Sequence, residues 1–289
     1  MRRPASRVTF PASRPPSVVG NRSSARSRSP THLLTRFGLH PPSFVIRLLL
    51  ALPLLTSLAC NTLLPPRPAV EWDHSPEAVV LRGTFCCGLV PQYYAENYIP
   101  EVLIWGDGRI VWVDDQASGT RRVSEGTFTE AELAALLQRF VDAGFFGWAD
   151  SYANYNVTDL PTQCLHLNLL SVSKSVCEYY EGAPAAFHTL YAEAASGAGA
   201  EGTEFVPTEG LLTVFPAGDP SNLTSEDYLD WDPAVTGLSL ADVTGAAPVD
   251  GNALALAWRA VNRSAWSPLV REGETFYYLV VTIPGLNAP

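Results

Sequence analysis

His166 and Asp159 come closest, by type and spacing, to a pair that could perform acid–base chemistry in this chain. An imidazole titrates near neutral pH and a carboxylate can orient it, so the two would act as a general base and its partner. The chain contains no HExxH, GxSxG, Walker A or dinucleotide-binding glycine motif. The local sequence indicates no serine or cysteine nucleophile either. We therefore assign no catalytic residue and expect no cofactor.

Four carboxylates lie close together in the sequence SNLTSEDYLDWD, namely Glu226, Asp227, Asp230 and Asp232. Calcium needs several oxygen ligands, but the spacing of these residues differs from that of the EF-hand loop. A solvated acidic turn is the simpler interpretation, and we expect no metal site.

Two polar segments carry aromatic residues that fall outside any periodic pattern. Such residues often form binding surfaces for peptides or glycans, and they also serve as lids over a small core. The candidate binding aromatics are Tyr93, Tyr94, Tyr98, Tyr152 and Tyr155.

The segment 44–60, FVIRLLLALPLLTSLAC, decides where the protein resides. Its residues 48–59 are twelve uncharged and mostly aliphatic residues, whereas a membrane-spanning helix needs about 20. Arg36 and Arg47 supply a positive flank. A short apolar run after positive charges and before small residues is typical of a secretory signal peptide.

The end of this run, Ser57-Leu58-Ala59-Cys60, resembles the lipobox of bacterial lipoproteins. The resemblance implies cleavage before Cys60 and lipidation of that cysteine. It therefore implies an extracytoplasmic protein that is lipid-anchored to a bacterial cell membrane. A signal that is cleaved without lipidation and a retained anchor are the alternatives.

Residues 1–43 contain no acidic residue and are rich in arginine, serine and proline, a composition that cannot form a core. We expect a disordered arm, or a segment upstream of the true start of translation. Because residues 1–60 contribute +9 to the formal charge of −10, residues 61–289 carry −19. An acidic mature portion argues against nucleic acid as a partner, since nucleic acids bind basic surfaces.

The other four cysteines, Cys86, Cys87, Cys164 and Cys177, are an even number in an exported chain and are disulfide candidates. Four cysteines allow three connectivities, and a bridge between neighbours would be strained, so more distant partners are favoured. If a hairpin turns at residues 170–171, Cys164 lies opposite Cys177 and the two can form a cross-strand disulfide.

The pattern of elements predicts an α+β fold, with a mainly antiparallel sheet and two to three helices packed on it. A hairpin is expected at residues 102–113 around Gly106-Asp107-Gly108. A helix is expected from Thr129, which forms a capping box with Glu132, to Gly144. Its apolar stripe consists of Leu133, Leu136, Leu137, Phe140 and Val141.

We expect five regions along the chain, which differ in composition. They are the arm at 1–43, the signal peptide at 44–60, a proline-rich tether at 61–77, an α+β domain at 78–204, and a smaller α+β unit or an extension of the same sheet at 205–289.

Between about residues 79 and 210, the motifs WGDGRIVW, GTFTEAELAALLQRFVDAGFF, TDLPT and VCEYY follow one another. Their order is similar to that of an uncharacterised domain found in bacterial lipoproteins and other exported proteins. The resemblance implies export and an α+β fold, and it brings no catalytic residue.

These observations favour a membrane-anchored extracytoplasmic lipoprotein that acts as a non-enzymatic binding or envelope-interaction module. The expected partners are the membrane, through the lipid anchor, and an envelope protein or glycan. The alternative is a hydrolase of envelope polymers with a site near Asp159 and His166.

Overall fold

The computed structural model describes residues 67–115, 120–153, 156–218 and 223–287. These residues belong to one compact unit, Pro66–Pro289. The signal segment with Cys60, and the candidate aromatic Tyr155, lie outside the described ranges. Within those ranges, no helix combines the length and the apolar composition needed to cross a bilayer.

The fold is α+β and mostly strands, as predicted. The described residues form two sheets, and they form five helices rather than the two to three that were predicted. The first sheet has eight strands in the order β5-β7-β6-β1-β2-β3-β4-β8. Its strands are β1 (Val79–Cys86), β2 (Val102–Trp105), β3 (Arg109–Asp115), β4 (Arg121–Thr127), β5 (Ser151–Ala153), β6 (Thr162–Leu169), β7 (Val172–Tyr179) and β8 (Gly202–Glu204). All neighbours are antiparallel except β5 and β7.

The second sheet contains five strands in the order β10-β12-β13-β9-β11. They are β9 (Gly210–Pro216), β10 (Leu229–Asp230), β11 (Ala247–Val249), β12 (Leu269–Glu272) and β13 (Thr275–Thr282). Only β10 and β12 run parallel. The helices of the described chain are α1 (Gln92–Glu96), α2 (Glu130–Asp142), α3 (Ala185–Ala195), α4 (Pro233–Thr236) and α5 (Gly251–Arg263), with short 3-10 turns at Phe145–Gly147 and Leu240–Asp242.

The predicted capping box at the start of α2 is confirmed. The Thr129 side chain accepts from the Glu132 backbone N–H, and the Glu132 carboxylate accepts from the Thr129 backbone N–H. All five apolar residues of the predicted stripe are buried. Gly144 ends the helix in the left-handed region, at φ 81°, which glycine adopts without steric cost.

Two hydrophobic cores share the central strand β2, all four residues of which are buried. Val102 and Ile104 face the first core, which lies under α2 and α3. Leu103 and Trp105 face the second core, which also contains α5 and the second sheet. Alternate side chains of a strand point to opposite faces, so β2 is covered on both sides.

Part of the predicted tether is packed against the first sheet. Trp72 is buried, and its indole N–H donates to the Gly106 carbonyl at 3.0 Å. A tryptophan brings a large apolar area and one donor that needs a partner when buried. Compact structure therefore begins before residue 78.

The run Gly237-Leu238-Ser239-Leu240 predicts a weak strand, which is wrong. Helix α4 lies immediately before it, because Asp232 caps the Ala234 N–H and Pro233 occupies the first turn, and a 3-10 turn begins at Leu240. Gly237 then ends the helix at φ 72°. The aromatic-rich sequence of residues 85–100 predicts a loop, and the structure instead continues β1 to Cys86 and forms α1.

The cysteine register of the β6–β7 hairpin agrees with the prediction. Cys164 lies directly opposite Cys177, and the two form a disulfide. The structure joins Cys86 to Cys87, which is the neighbouring pair that the sequence had disfavoured.

Replacing Cys164 and Cys177 together with alanine is expected to cost about 3 kcal/mol of stability, because their cross-link restricts the unfolded chain over 13 residues. Urea unfolding of the double variant measures the loss. Replacing Cys86 and Cys87 with serine is the matched control, since the bridge between neighbours closes almost no loop. Equal losses for the two double variants would contradict the entropic account.

Candidate functional site

A cavity of about 660 Å³ lies between β4, the segment after β8, and α5. Four arginines line it, and we call it the arginine groove: Arg121, Arg122, Arg259 and Arg263. Residues 61–289 contain only ten lysines and arginines. Four of these ten therefore converge on one cavity of an otherwise acidic chain.

Two of the four arginines are committed to the fold. Arg121 is buried, and its guanidinium donates to the backbone carbonyls of Asn97 at 3.0 Å and Val261 at 2.9 Å. Arg263 donates to the carbonyls of Tyr228, at 2.9 Å, and Glu226. Both keep their positive charge while they fix β4, α5 and the preceding loop.

The other two arginines are exposed to solvent. Arg122 follows Arg121 on β4, and Arg259 lies one turn before Arg263 on α5. Across the described ranges, neither side chain forms an ion pair or a hydrogen bond. Arg121 and Val123 face α5, so Arg122 projects from the opposite face of β4 and lies at the rim of the groove, whereas Arg259 lies on α5 itself.

The rest of the groove is mainly apolar. Phe205 and Trp258 meet edge to face, with ring centroids 5.8 Å apart. Val206 is 66% exposed, and Glu204 is the one acidic residue in the lining. Guanidinium groups match the geometry of carboxylate and phosphate oxygens, so this arrangement suits an anion that also carries an apolar part.

A second polar cluster surrounds Glu101, immediately before β2. The Tyr98 hydroxyl donates to Glu101 Oε2 at 2.6 Å, and the Tyr191 hydroxyl donates to the same oxygen at 3.3 Å. The Phe85 backbone N–H in turn donates to the Tyr98 hydroxyl at 2.7 Å. Burial raises the pKa of Glu101 to about 7, although the tyrosine hydrogen bonds oppose the shift.

The local sequence does not predict a role for Glu101, because the burial of this residue depends on Tyr191, which lies 90 residues away. Tyr98 was a candidate binding aromatic, and its contacts with Phe85 and Glu101 place it inside the fold. A glutamate directly before the apolar strand VLIW was the one local signal.

His166 does not meet Asp159. Its Nδ1 lies 2.5 Å from the Ser175 hydroxyl oxygen, and Arg82 pairs with it across β1 and β6. Burial first, and then the charge of Arg82, lower the pKa of His166. Asp159 approaches the backbone at Gly88 instead, and no hydrogen bond or ion pair connects it to His166 among the residues that the structure describes.

The other candidate aromatics contact their own chain. Tyr93 stacks on Tyr278 with ring centroids 4.4 Å apart, and Tyr94 stacks on Trp266 at 4.3 Å. The Tyr152 hydroxyl accepts from the Ala149 N–H at 3.1 Å.

The acidic residues near 226–232 have separate local roles. Asp227 accepts from the Thr224 N–H and hydroxyl at 2.6 and 2.8 Å. Asp230 pairs with Arg271 at 2.6 Å, and Asp232 caps α4. Among the residues that the structure describes, no three His, Cys, Asp or Glu side chains are placed to hold a metal ion.

Comparisons with known proteins add one finding. A domain of unknown function (DUF6438) matches residues 77–196. The match includes the Glu101 cluster, His166 and the four cysteines that follow residue 60, and it includes only Arg121 and Arg122 of the arginine groove. No curated protein and no solved structure matches the chain.

Proposed function

We propose that the protein is a lipid-anchored, extracytoplasmic binding module that holds a short anionic ligand in the arginine groove. The observation that carries the binding site is the convergence of four arginines on one cavity in an acidic chain. An anionic group on an envelope glycan is the ligand that fits the expected location.

The charge distribution favours a short ligand over a long polyanion. A formal charge of −19 on residues 61–289 repels an anionic polymer wherever the polymer leaves the groove. A ligand that fits within the groove, whose volume is about 660 Å³, contacts the guanidinium groups. It is repelled little by the acidic residues elsewhere on the surface. The apolar wall at Phe205, Val206 and Trp258 adds contact area for an uncharged part of the ligand.

The location rests on the apolar segment before Cys60 and on the lipobox-like sequence that ends it. Mass spectrometry of the mature N-terminus tests the anchor directly. We expect a lipidated Cys60 as the first residue. An unmodified terminus upstream of Cys60 would exclude lipidation.

Charge reversal at the two exposed arginines is expected to weaken binding at the groove strongly. Two lost charge-assisted hydrogen bonds, at about 1.5 kcal/mol or more each, lower affinity by about 100-fold or more. We would measure binding to the full chain by calorimetry, with tripolyphosphate as the phosphoryl probe and citrate as the carboxylate probe. The variant is Arg122→Glu/Arg259→Glu.

The matched control is Arg67→Glu/Arg139→Glu, which changes the net charge equally. These two arginines form exposed ion pairs, with Asp142 at 3.4 Å and Glu193 at 2.6 Å, and such pairs contribute little to stability. We expect the control to bind as the wild type does. Equal weakening in both double variants would show that net charge, and not the groove, determines binding.

A further inference from the structure

A second cavity, of about 430 Å³, lies where the polar side chains of β1, β6 and β7 meet Leu103 and Trp105 at the edge of the second core. Its floor is formed by side chains of β1, β6 and β7, and Gly285 and Leu286 of the C-terminal segment close one side. The volume lies in the range of sites that hold small organic ligands, about 300 to 1,000 Å³. This cavity shares no lining residue with the arginine groove.

Strand register brings three functional side chains into one row across the floor. Arg82 pairs with His166, and His166 pairs with Ser175. Directly opposed residues of antiparallel strands project to the same face, with Cβ atoms about 5 Å apart. A guanidinium, an imidazole and a hydroxyl therefore lie side by side on this face.

Asn168 and Ser173 form the next row of the floor. The Asn168 amide donates to the Val79 carbonyl at 2.8 Å, and the Ser173 hydroxyl donates to Asn168 Oδ1 at 2.5 Å. These bonds hold the amide in place and leave it one donor hydrogen for a ligand. Glu77 lines the rim and offers acceptor oxygens to hydroxyl groups.

We propose that this cavity binds a small hydroxylated carboxylate of the size of a sugar acid. The ligand carboxylate binds to Arg82, His166 and Ser175. The ligand hydroxyl groups form hydrogen bonds with Asn168, Ser173 and Glu77. Across the described ranges, Arg82 forms no ion pair and no side-chain hydrogen bond, so its charge is available to the carboxylate.

We expect His166 to take up a proton when the carboxylate ligand binds. The groups beside His166 are Arg82 from β1 and Ser175 from β7. Glu77 also lines the cavity, while Gly285 and Leu286 carry no charge. In the free protein, burial and Arg82 lower the pKa of His166. A bound carboxylate offsets the charge of Arg82 and favours the imidazolium, so the pKa rises on binding and affinity increases as pH falls.

Calorimetry of the full chain with glucuronate as the probe, and glucose as its uncharged counterpart, tests this proposal. We expect glucuronate to bind and glucose to bind at least about tenfold more weakly, because glucose lacks the group that pairs with Arg82. Titrations near pH 6 in two buffers of different ionisation enthalpy should show net proton uptake. Affinity at pH 5 should exceed that at pH 8 by about tenfold.

Two variants locate the site. Arg82→Gln should weaken glucuronate binding by at least about tenfold, and His166→Gln should abolish proton uptake while the Arg82 contact remains. Arg67→Glu/Arg139→Glu, at residues that line neither cavity, is the control and should bind glucuronate as the wild type does. Any glucuronate binding that Arg122→Glu/Arg259→Glu loses belongs to the arginine groove. The inference is overturned if glucuronate fails to bind the wild type, if binding takes up no proton, or if only the groove variant loses binding.

Discussion

Replacing Asn97 with alanine is expected to destabilise the protein by about 2–5 kcal/mol, because the change leaves buried backbone groups of β13 without partners. Asn97 is 2% exposed. Its side-chain amide donates to the Leu279 carbonyl at 2.7 Å, and its Oδ1 accepts from the Val281 N–H at 2.9 Å. One side chain next to α1 thus holds the central strand of the second sheet.

Equilibrium unfolding in urea measures this loss. Asn252→Ala is the matched control, since Asn252 is exposed and forms one hydrogen bond, to the Val235 carbonyl at 3.1 Å. We expect the control to lose less than about 1 kcal/mol. Comparable losses in the two variants would show that the second sheet does not depend on Asn97.

Stability is also expected to fall as pH rises, and Glu101 is the residue that causes this loss. Its pKa is raised from 4.5 to about 7 in the folded protein. The folded state therefore retains a proton that the unfolded state has lost, and stability from this group falls as pH rises from about 4.5 to above 7. At 1.36 kcal/mol per unit of pKa, the shift corresponds to about 3 kcal/mol as an upper bound.

Glu101→Gln keeps an amide in the place of the carboxyl group and removes the titration. We expect the stability of the wild type relative to this variant to fall by up to about 3 kcal/mol between pH 5 and pH 8. Urea unfolding at the two pH values measures the difference. A pH dependence shared by the wild type and the variant would show that Glu101 titrates normally.

Glu132→Gln is the control, because the pH dependence of stability that comes from Glu132 has the opposite sign. Hydrogen bonds from Thr129 lower the pKa of Glu132, so its contribution to stability is present at neutral pH and is lost as pH falls through the lowered pKa. Relative to the wild type, the two variants should therefore change the pH dependence of stability in opposite directions. That result would distinguish the buried carboxyl group of Glu101 from the exposed capping carboxylate of Glu132.

The parts of the fold that the sequence predicts are those decided by nearby residues. The capping box of Thr129 and Glu132, the left-handed Gly144 and the opposition of Cys164 and Cys177 each depend on a few positions along the chain. The alternation in β6 also places His166 and Asn168 on the polar face, away from the buried Leu165 and Leu167.

The candidate sites depend on contacts between distant parts of the chain, which periodicity does not reveal. Arg122 and Arg259 are 137 residues apart and line one groove only because α5 packs beside β4. His166 was paired with Asp159 on proximity in sequence, whereas strand register sets it between Arg82 and Ser175.

The central claim, that an anion binds in the arginine groove, is tested most directly by NMR of the arginine side-chain N–H groups during titration of the full chain. Tripolyphosphate and citrate are added in separate titrations, and Arg122→Lys and Arg259→Lys identify the two signals. We expect saturable shifts at Arg122 and Arg259 with at least one probe, and none at Arg67 and Arg139. Shifts spread equally over all four arginines, or no saturable shift with either probe, would contradict it.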